Sequence, residues 1–369
     1  MYIILFLFVF QIYMNNTDIN DIRDIKEFKG ITFSKFKKAD VRKELLNNLI
    51  NSKIEPACYW SAELICSGNY IELWDIIIYF YSKHIHLGNL KLSIYLNMRV
   101  NQFKEILNLG YKQTEIRMRN NNKIRELFAE IMCVLCQAKR KHCFQEQKIM
   151  KSDFDMTQMM DRFTAPSITY ADRIFRKEDP KEIYVAMNEL GYSLMDGNNI
   201  ILSCYWIEWI IEFESKLDKN TKIKGERRTN ISVESKHQTD IIWMIWELFL
   251  DISSQKSKMI QKIVDSLLSL FTLKYTHSCK RKRKYIMYCV VSILCEKNIV
   301  LEDMVSEQAK SVIANVLKNI DNVYKQIKKN EENPKTDYLF KDIKQRNLEK
   351  TIEKLEAFNA LGETFIPRV

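Results

Sequence analysis

Two stretches of the chain resemble each other and hold part of its tryptophan content. Residues 57–65 read ACYWSAELI, and residues 203–211 read SCYWIEWII. Further along, LWDIIIYF at 73–80 is echoed by IWMIWELF at 242–249, and the four stretches together contain all six tryptophans. Each copy then reaches a basic run behind a cysteine, at 139–141 after Cys136 and at 280–284 after Cys279. The same landmarks in one order, at unequal spacings, predict a diverged internal duplication with loop insertions.

The composition and the spacing of apolar residues predict an all-α protein. The chain is 46% hydrophobic and 28% charged, with only 8 glycines and 5 prolines, which is typical of a folded protein with few turns. Apolar residues recur at helical spacing. We expect helices from Pro56 to a stop at Ser67–Gly68 and at 71–81, 124–138, 239–250, 258–273 and 285–296.

The length of 369 residues favours two domains. We predict a first helical unit at 14–151, a linker at 152–180, a second unit at 181–297 with an exposed basic insertion at 215–236, and C-terminal helices at 298–369 forming a hairpin around Asn333–Pro334. Residues 1–13 are apolar and uncharged, yet too short to span a bilayer comfortably. Our hypothesis is an over-long gene model whose true start is Met14, and a membrane anchor is the alternative.

The nine cysteines indicate reduced thiols and not a disulfide framework. Their number is odd, and most of them lie within apolar helical patterns. Cys133 and Cys136, followed by His142 and Cys143, have the ingredients of a zinc site. A second ligand pair on a turn is missing, so buried thiols are favoured over metal. We predict no metal and no cofactor.

Known catalytic motifs are not found in the sequence. None of the glycines begins a phosphate-binding or dinucleotide-binding loop. His84 and His86 could bind a metal or transfer protons, but they are typical of a helix end. Glu208 and Glu212 share a helical face, where charged residues are usually solvated. We therefore predict a protein without enzymatic activity, with an unrecognised carboxylate or histidine site as the alternative. The tryptophans could stack on bases, although their apolar neighbours favour core packing.

Clusters of basic residues are the best candidates for a binding site. The net charge is +10 and the isoelectric point is about 9.0, which favours an anionic partner. If the duplication brings the clusters onto one face, they would follow a phosphate backbone without reading its sequence. The alternatives are separate solvated turns and a bias towards lysine from an AT-rich genome. The candidate nucleic-acid-binding residues are Lys280, Arg281, Lys282, Arg283, Lys284, Lys139, Arg140, Lys141, Arg117, Arg119, Lys123 and Arg125.

Two resemblances add to these expectations. The segments 57–68, 73–80 and 82–89 resemble the helical C-terminal region of RarA-type AAA+ ATPases, which are related to clamp loaders. That resemblance implies a collar-like, oligomerisation or scaffold helical domain and not the ATPase activity, because the ATPase module is absent. The whole chain also looks like an uncharacterised protein family of giant nucleocytoplasmic DNA viruses, notably at 58–96, 124–136, 148–155 and 204–214. This second resemblance implies a viral factory in the host cytoplasm or the virion, and it brings no catalytic residues.

The sequence thus predicts a non-enzymatic accessory or scaffold protein that contacts nucleic-acid backbone through its basic clusters. The alternative is a structural virion protein, either a minor capsid or an internal component, that docks on acidic viral proteins. We do not expect a membrane as a partner, and oligomerisation is left open.

Overall fold

The computed structural model describes residues 17–332, apart from 113, 217–222, 298, 300, 302 and 304. Within these ranges the secondary structure is helical and the only β-type pairings are isolated bridges, so the all-α class is confirmed. The expected extension at 1–13 and the second arm of the C-terminal hairpin lie outside the described residues.

The first half of the chain forms five α-helices. They are α1 (Lys38–Ile50), α2 (Ile54–Cys66), α3 (Tyr70–Phe80), α4 (Lys91–Asn108) and α5 (Asn122–Gln137). A π-helical turn, Tyr81–Ile85, extends α3, and a 3-10 turn, Glu115–Asn120, precedes α5. The expected stop of α2 is confirmed. Gly68 has a φ of 72°, and the amides of Gly68 and Asn69 donate to the carbonyls of Ile65 and Leu64, which caps the helix.

The second half contributes eight further helices among the described residues. They are α6 (Met156–Met160), α7 (Tyr184–Met195), α8 (Ile200–Lys216), α9 (Ile242–Ser254), α10 (Lys258–Thr272), α11 (Cys279–Lys282), α12 (Lys284–Cys295) and α13 (Glu307–Lys328). Serine side chains cap the N-termini of two long helices, α10 and α13. Ser257 Oγ accepts from the amide of Ile260 at the start of α10, and Ser306 Oγ accepts from Ala309 at the start of α13.

Helix α12 lies at the centre of the core. All of its residues from Tyr285 to Cys295 are buried, and it packs against α3, α7, α8, α9 and α10. This explains why its sequence is apolar all round. Three of the helices that pack against it carry the fully buried tryptophans Trp74, Trp206, Trp243 and Trp246. Core packing is therefore confirmed for these four side chains, which leaves them no surface for stacking on bases.

The two predicted units share one hydrophobic core. Helix α10 packs on α4, α12 packs on α3, and α13 covers α2 and α5. The first two landmark pairs lie on helices, on α2 and α8 and on α3 and α9. The third pair differs, because Cys136 lies at the end of α5 whereas Cys279 begins α11. The duplication and the domain boundaries stay predictions.

The linker and the basic insertion are held against the second half of the chain. The backbone amides of Thr164 and Ala165 in the linker donate to the buried carboxylate of Glu189 on α7. In the described part of the insertion, Arg228 is fully buried between the carboxylates of Asp179 and Glu247. The expectation that the insertion is exposed is therefore wrong at Arg228, because counter-charges from other segments enclose it.

Candidate nucleic-acid interface

The basic run at 280–284 begins with a buried lysine. Lys280 is 4% exposed, and its Nζ contacts Glu214 and lies 3.1 Å from Oδ1 of Asp240. Asp240 also receives a hydrogen bond from Tyr275 and lies 2.9 Å from His277 Nδ1. Burial raises the pKa of Asp240, but the hydrogen bond with His277 and the charge of Lys280 outweigh it and lower that pKa to about 2. Lys280 is therefore part of a buried network of ion pairs and hydrogen bonds.

The same network contains the one group of potential metal ligands found among the described residues. Ligand atoms of Glu214, Asp240 and His277 lie within 4.8 Å of one another. However, the Lys280 ammonium lies against both carboxylates and already neutralises them in part. A divalent cation would have to compete with this ammonium, so the geometry fits an ion-pair network better than a metal site.

Arg283 is the second buried cation of the run. It is 2% exposed, and its Nη2 lies 2.7 Å from Oδ1 of Asp75 on α3. Its Nη1 donates to the carbonyls of Phe271 and Leu273 at the end of α10, both at 2.7 Å. The expectation that Lys280 and Arg283 face an external partner is wrong, because distant carboxylates and carbonyls take up their charges and donors.

The other three members of the run differ in exposure. Arg281 is exposed and lies 3.1 Å from a carboxylate oxygen of Glu212, and Lys282 is exposed as well. Lys284 is largely shielded between Glu146 and Glu208. Glu208, expected to be solvated, is instead buried and accepts from Tyr288 Oη at 2.6 Å. Burial raises its pKa.

The group at 117–125 is divided in the same way. Arg119 is buried and donates to the carbonyls of Asp21 and Cys66. Arg125 is 1% exposed, donates to Thr17 and lies 4.2 Å from the centre of the Tyr324 ring. Both arginines thus hold the N-terminal segment to the body, and the expectation that they contact a nucleic acid is wrong. Arg117 and Lys123 remain exposed.

Helix α5 separates the groups at 117–125 and 139–141. The first group lies around the N-terminus of α5 and the second follows its C-terminus, so its 16 residues place them about 24 Å apart. Arg140 is occupied, because its guanidinium donates to Leu49 O at 2.7 Å and to Ser52 Oγ at 2.8 Å, at the end of α1. Lys139 and Lys141 are exposed.

Residues 139–151, which we call the basic strap, run from the end of α5 towards α8 and α12. The amides of Lys141 and Cys143 donate to the carbonyls of Ile85 and Lys83 in the π-helical turn. The Phe144 ring then stacks on Tyr288 with centroids 5.4 Å apart, and Glu146 pairs with Lys284. Just beyond the strap, Trp209 Nε1 donates to Asp153 O at 2.8 Å. The strap is therefore held by contacts with both the first and the second half of the chain.

The strap carries an excess of exposed positive charge. Lys139, Lys141, Lys148 and Lys151 are exposed, and the acidic residue of the segment, Glu146, is paired with Lys284. The sequence analysis did not select Lys148 and Lys151, because neither has a basic residue next to it in the sequence. The signal that could have found them is the run of 13 residues with a single carboxylate.

Two histidines lie beside the strap. His84, in the π-helical turn, has its Nδ1 3.2 Å from Nδ1 of His142. Burial and the charge of His142 lower the pKa of His84 to about 4, so His84 is neutral at physiological pH. His86 is buried, and burial also lowers its pKa to about 4. These histidines add little charge to the surface.

The cysteines with zinc-like spacing lie inside α5. Cys133 and Cys136 are buried, as is Cys58 on the neighbouring helix α2. Burial raises the pKa of Cys136 to about 12, which favours its neutral thiol.

Comparisons with known proteins give no relative. No protein-family model, no curated protein and no solved structure matches the chain. Among the described helices, none combines the length and the apolar character that crossing a membrane requires.

Six of the twelve candidate cations are exposed in the structure: Arg117, Lys123, Lys139, Lys141, Arg281 and Lys282.

Proposed function

We propose that this protein binds the phosphate backbone of nucleic acid through the basic strap, as a non-enzymatic accessory or scaffold protein. The observation that carries the proposal is the charge of the strap, where four exposed lysines accompany one carboxylate that is already paired. Lysine ammonium groups act as point charges towards phosphate, and backbone contacts carry little sequence information. The binding would therefore be salt-sensitive and tolerant of sequence.

The anchoring of the strap supports this proposal. Backbone hydrogen bonds to the π-helical turn, the Phe144–Tyr288 stack and the Glu146–Lys284 pair fix its course. A segment that is already held loses less conformational entropy when it binds. Lys282 is exposed and lies two residues before Lys284, the partner of Glu146, so it adds positive charge near the middle of the strap.

An acidic protein is the other partner that this charge would attract. A setting in a viral factory or virion rests on the sequence resemblance to the giant-virus family. In that setting, docking of the strap on an acidic viral protein is the alternative to contact with nucleic acid.

The experiment that tests the proposal measures fluorescence-anisotropy binding to single- and double-stranded DNA over a salt series. The strap variant changes Lys139, Lys141, Lys148 and Lys151 to Gln. The control variant changes three exposed lysines of α13, Lys310, Lys318 and Lys325, and the exposed Lys329 directly after it to Gln, which removes the same charge. For double-stranded DNA, the slope of log affinity against log salt should fall by roughly 0.9 per lost contact in the strap variant only. Equal losses in both variants, or binding that ignores salt, would reject the strap as the site.

A further inference from the structure

A cavity of about 450 Å³ lies between the two halves of the chain, away from the strap. Helices α3 and α4 form one side, and α10 with the segment around Asn230 and Ser232 forms the other. Its volume is in the range of small-molecule sites, which usually combine apolar walls with a few polar groups.

The walls of the cavity are largely apolar. Phe103 and Leu107 of α4 face the cavity together with Leu268 of α10. Ile71 also lines it and keeps 51% of its surface exposed, although α3 is otherwise a core helix. A bound apolar body would remove this surface from water, which favours binding.

Charged groups of both signs line the cavity, among them Lys104 and Glu115 from the first half of the chain and Asp265 and Lys274 from the second. Lys104 of α4 and Asp265 of α10 line it, and within the described residues neither has an ion-pair or hydrogen-bond partner. Both side chains are exposed, and their partial burial lowers the pKa of Lys104 and raises that of Asp265. Arg283 differs, because Asp75 and two carbonyls already occupy its donors.

We propose that this cavity binds a nucleoside monophosphate with an amino-bearing base. The base would lie against Phe103, Leu107 and Leu268, its amino group would donate to Asp265, and its phosphate would pair with Lys104. Such a molecule combines the apolar body, the anionic group and the hydrogen-bond donor that these walls match. The inference is independent of the strap, so either proposal can fail while the other stands.

Calorimetric titration of the full chain with adenosine monophosphate tests this inference. Adenosine lacks the phosphate, and purine riboside monophosphate lacks the amino group. Lys104→Gln and Asp265→Ala remove the two polar contacts, and Leu268→Trp fills the cavity. Lys262→Gln, an exposed lysine on α10 outside the cavity, is the matched control. Circular dichroism establishes that each variant folds.

We expect Lys104→Gln and Asp265→Ala to weaken binding by about 10-fold to 100-fold, as is usual for a lost hydrogen bond to a charged group. Lys262→Gln should bind as the wild type does. Adenosine should be insensitive to Lys104→Gln, and purine riboside monophosphate should be insensitive to Asp265→Ala. The proposal is overturned if adenosine monophosphate shows no saturable binding up to millimolar concentration. It is equally overturned if both polar variants bind as tightly as the wild type.

Discussion

Arg283, which is buried, and Asp75, which is partly buried, form an ion pair with Nη2 of the arginine 2.7 Å from Oδ1 of the aspartate. The pair joins the residue before α12 to α3, and the same guanidinium binds the last carbonyls of α10. A residue from the most basic run of the chain thus stabilises the junction of three helices. Positive charge in the sequence and positive charge on the surface are therefore different properties of this protein.

Replacing Arg283 by Ala should lower the free energy of unfolding by about 3 kcal/mol, because the partly buried carboxylate of Asp75 and two carbonyls would lose their partner. Urea denaturation measures this effect. Arg281→Ala is the matched control, since Arg281 is 52% exposed and its pair with Glu212 should contribute less than about 1 kcal/mol. Similar effects of the two substitutions would contradict the structural role of Arg283.

The stability that Asp240 contributes should disappear in acid. Its folded-state pKa, about 2, is below the ordinary value of 3.8, so the ionised form stabilises the fold above that ordinary value. The contribution, about 2 kcal/mol by linkage, is lost as the pH falls from roughly 4 towards 2. The difference in unfolding free energy between wild type and Asp240→Asn should shrink over this window. A difference that does not vary with pH would show that the charge of Asp240 is unimportant.

The thiols should be nearly unreactive in the folded protein. Eight of the nine cysteines are buried and Cys143 is half-buried. Burial raises the pKa of Cys143 to about 12, so little thiolate forms at neutral pH. We expect slow reaction with a chromogenic disulfide reagent, with Cys143 first, and rapid reaction of all nine in denaturant. Cys143→Ser should remove the first-reacting thiol. Several thiols reacting at the rate of a free cysteine in the native protein would contradict the buried positions.

Glu146→Gln should strengthen binding to nucleic acid. The substitution removes the carboxylate of the strap and one of its anchors, but Lys284 keeps Glu208 as a partner. The backbone hydrogen bonds to the π-helical turn and the Phe144–Tyr288 stack still hold the strap. The positive potential of the strap would rise by one charge, which should increase affinity most at low salt. Glu126→Gln, at an exposed position on α5, adds the same charge elsewhere and is the control. Equal affinities of the two variants would show that only the net charge matters.

The helices were predictable because their signals are local. Apolar periodicity places α10 at 258–273, against Lys258–Thr272 observed, and Gly68 marks the end of α2. Which of the basic side chains are buried in ion pairs was not predictable in this way. Lys280 is neutralised by a carboxylate 66 residues away, and Arg283 by one 208 residues away. Such pairs depend on tertiary packing, which the spacing of charges in a single sequence does not reveal.

The most direct test of the strap is lysine-acylation footprinting by mass spectrometry, with and without DNA at low salt. The account predicts that DNA protects Lys139, Lys141, Lys148 and Lys151, and that the exposed lysines of α13 react equally in both conditions. Lys280 should stay unreactive throughout, because it is 4% exposed. Protection on α13 with none on the strap, or bound DNA that leaves the strap lysines fully reactive, would contradict the account.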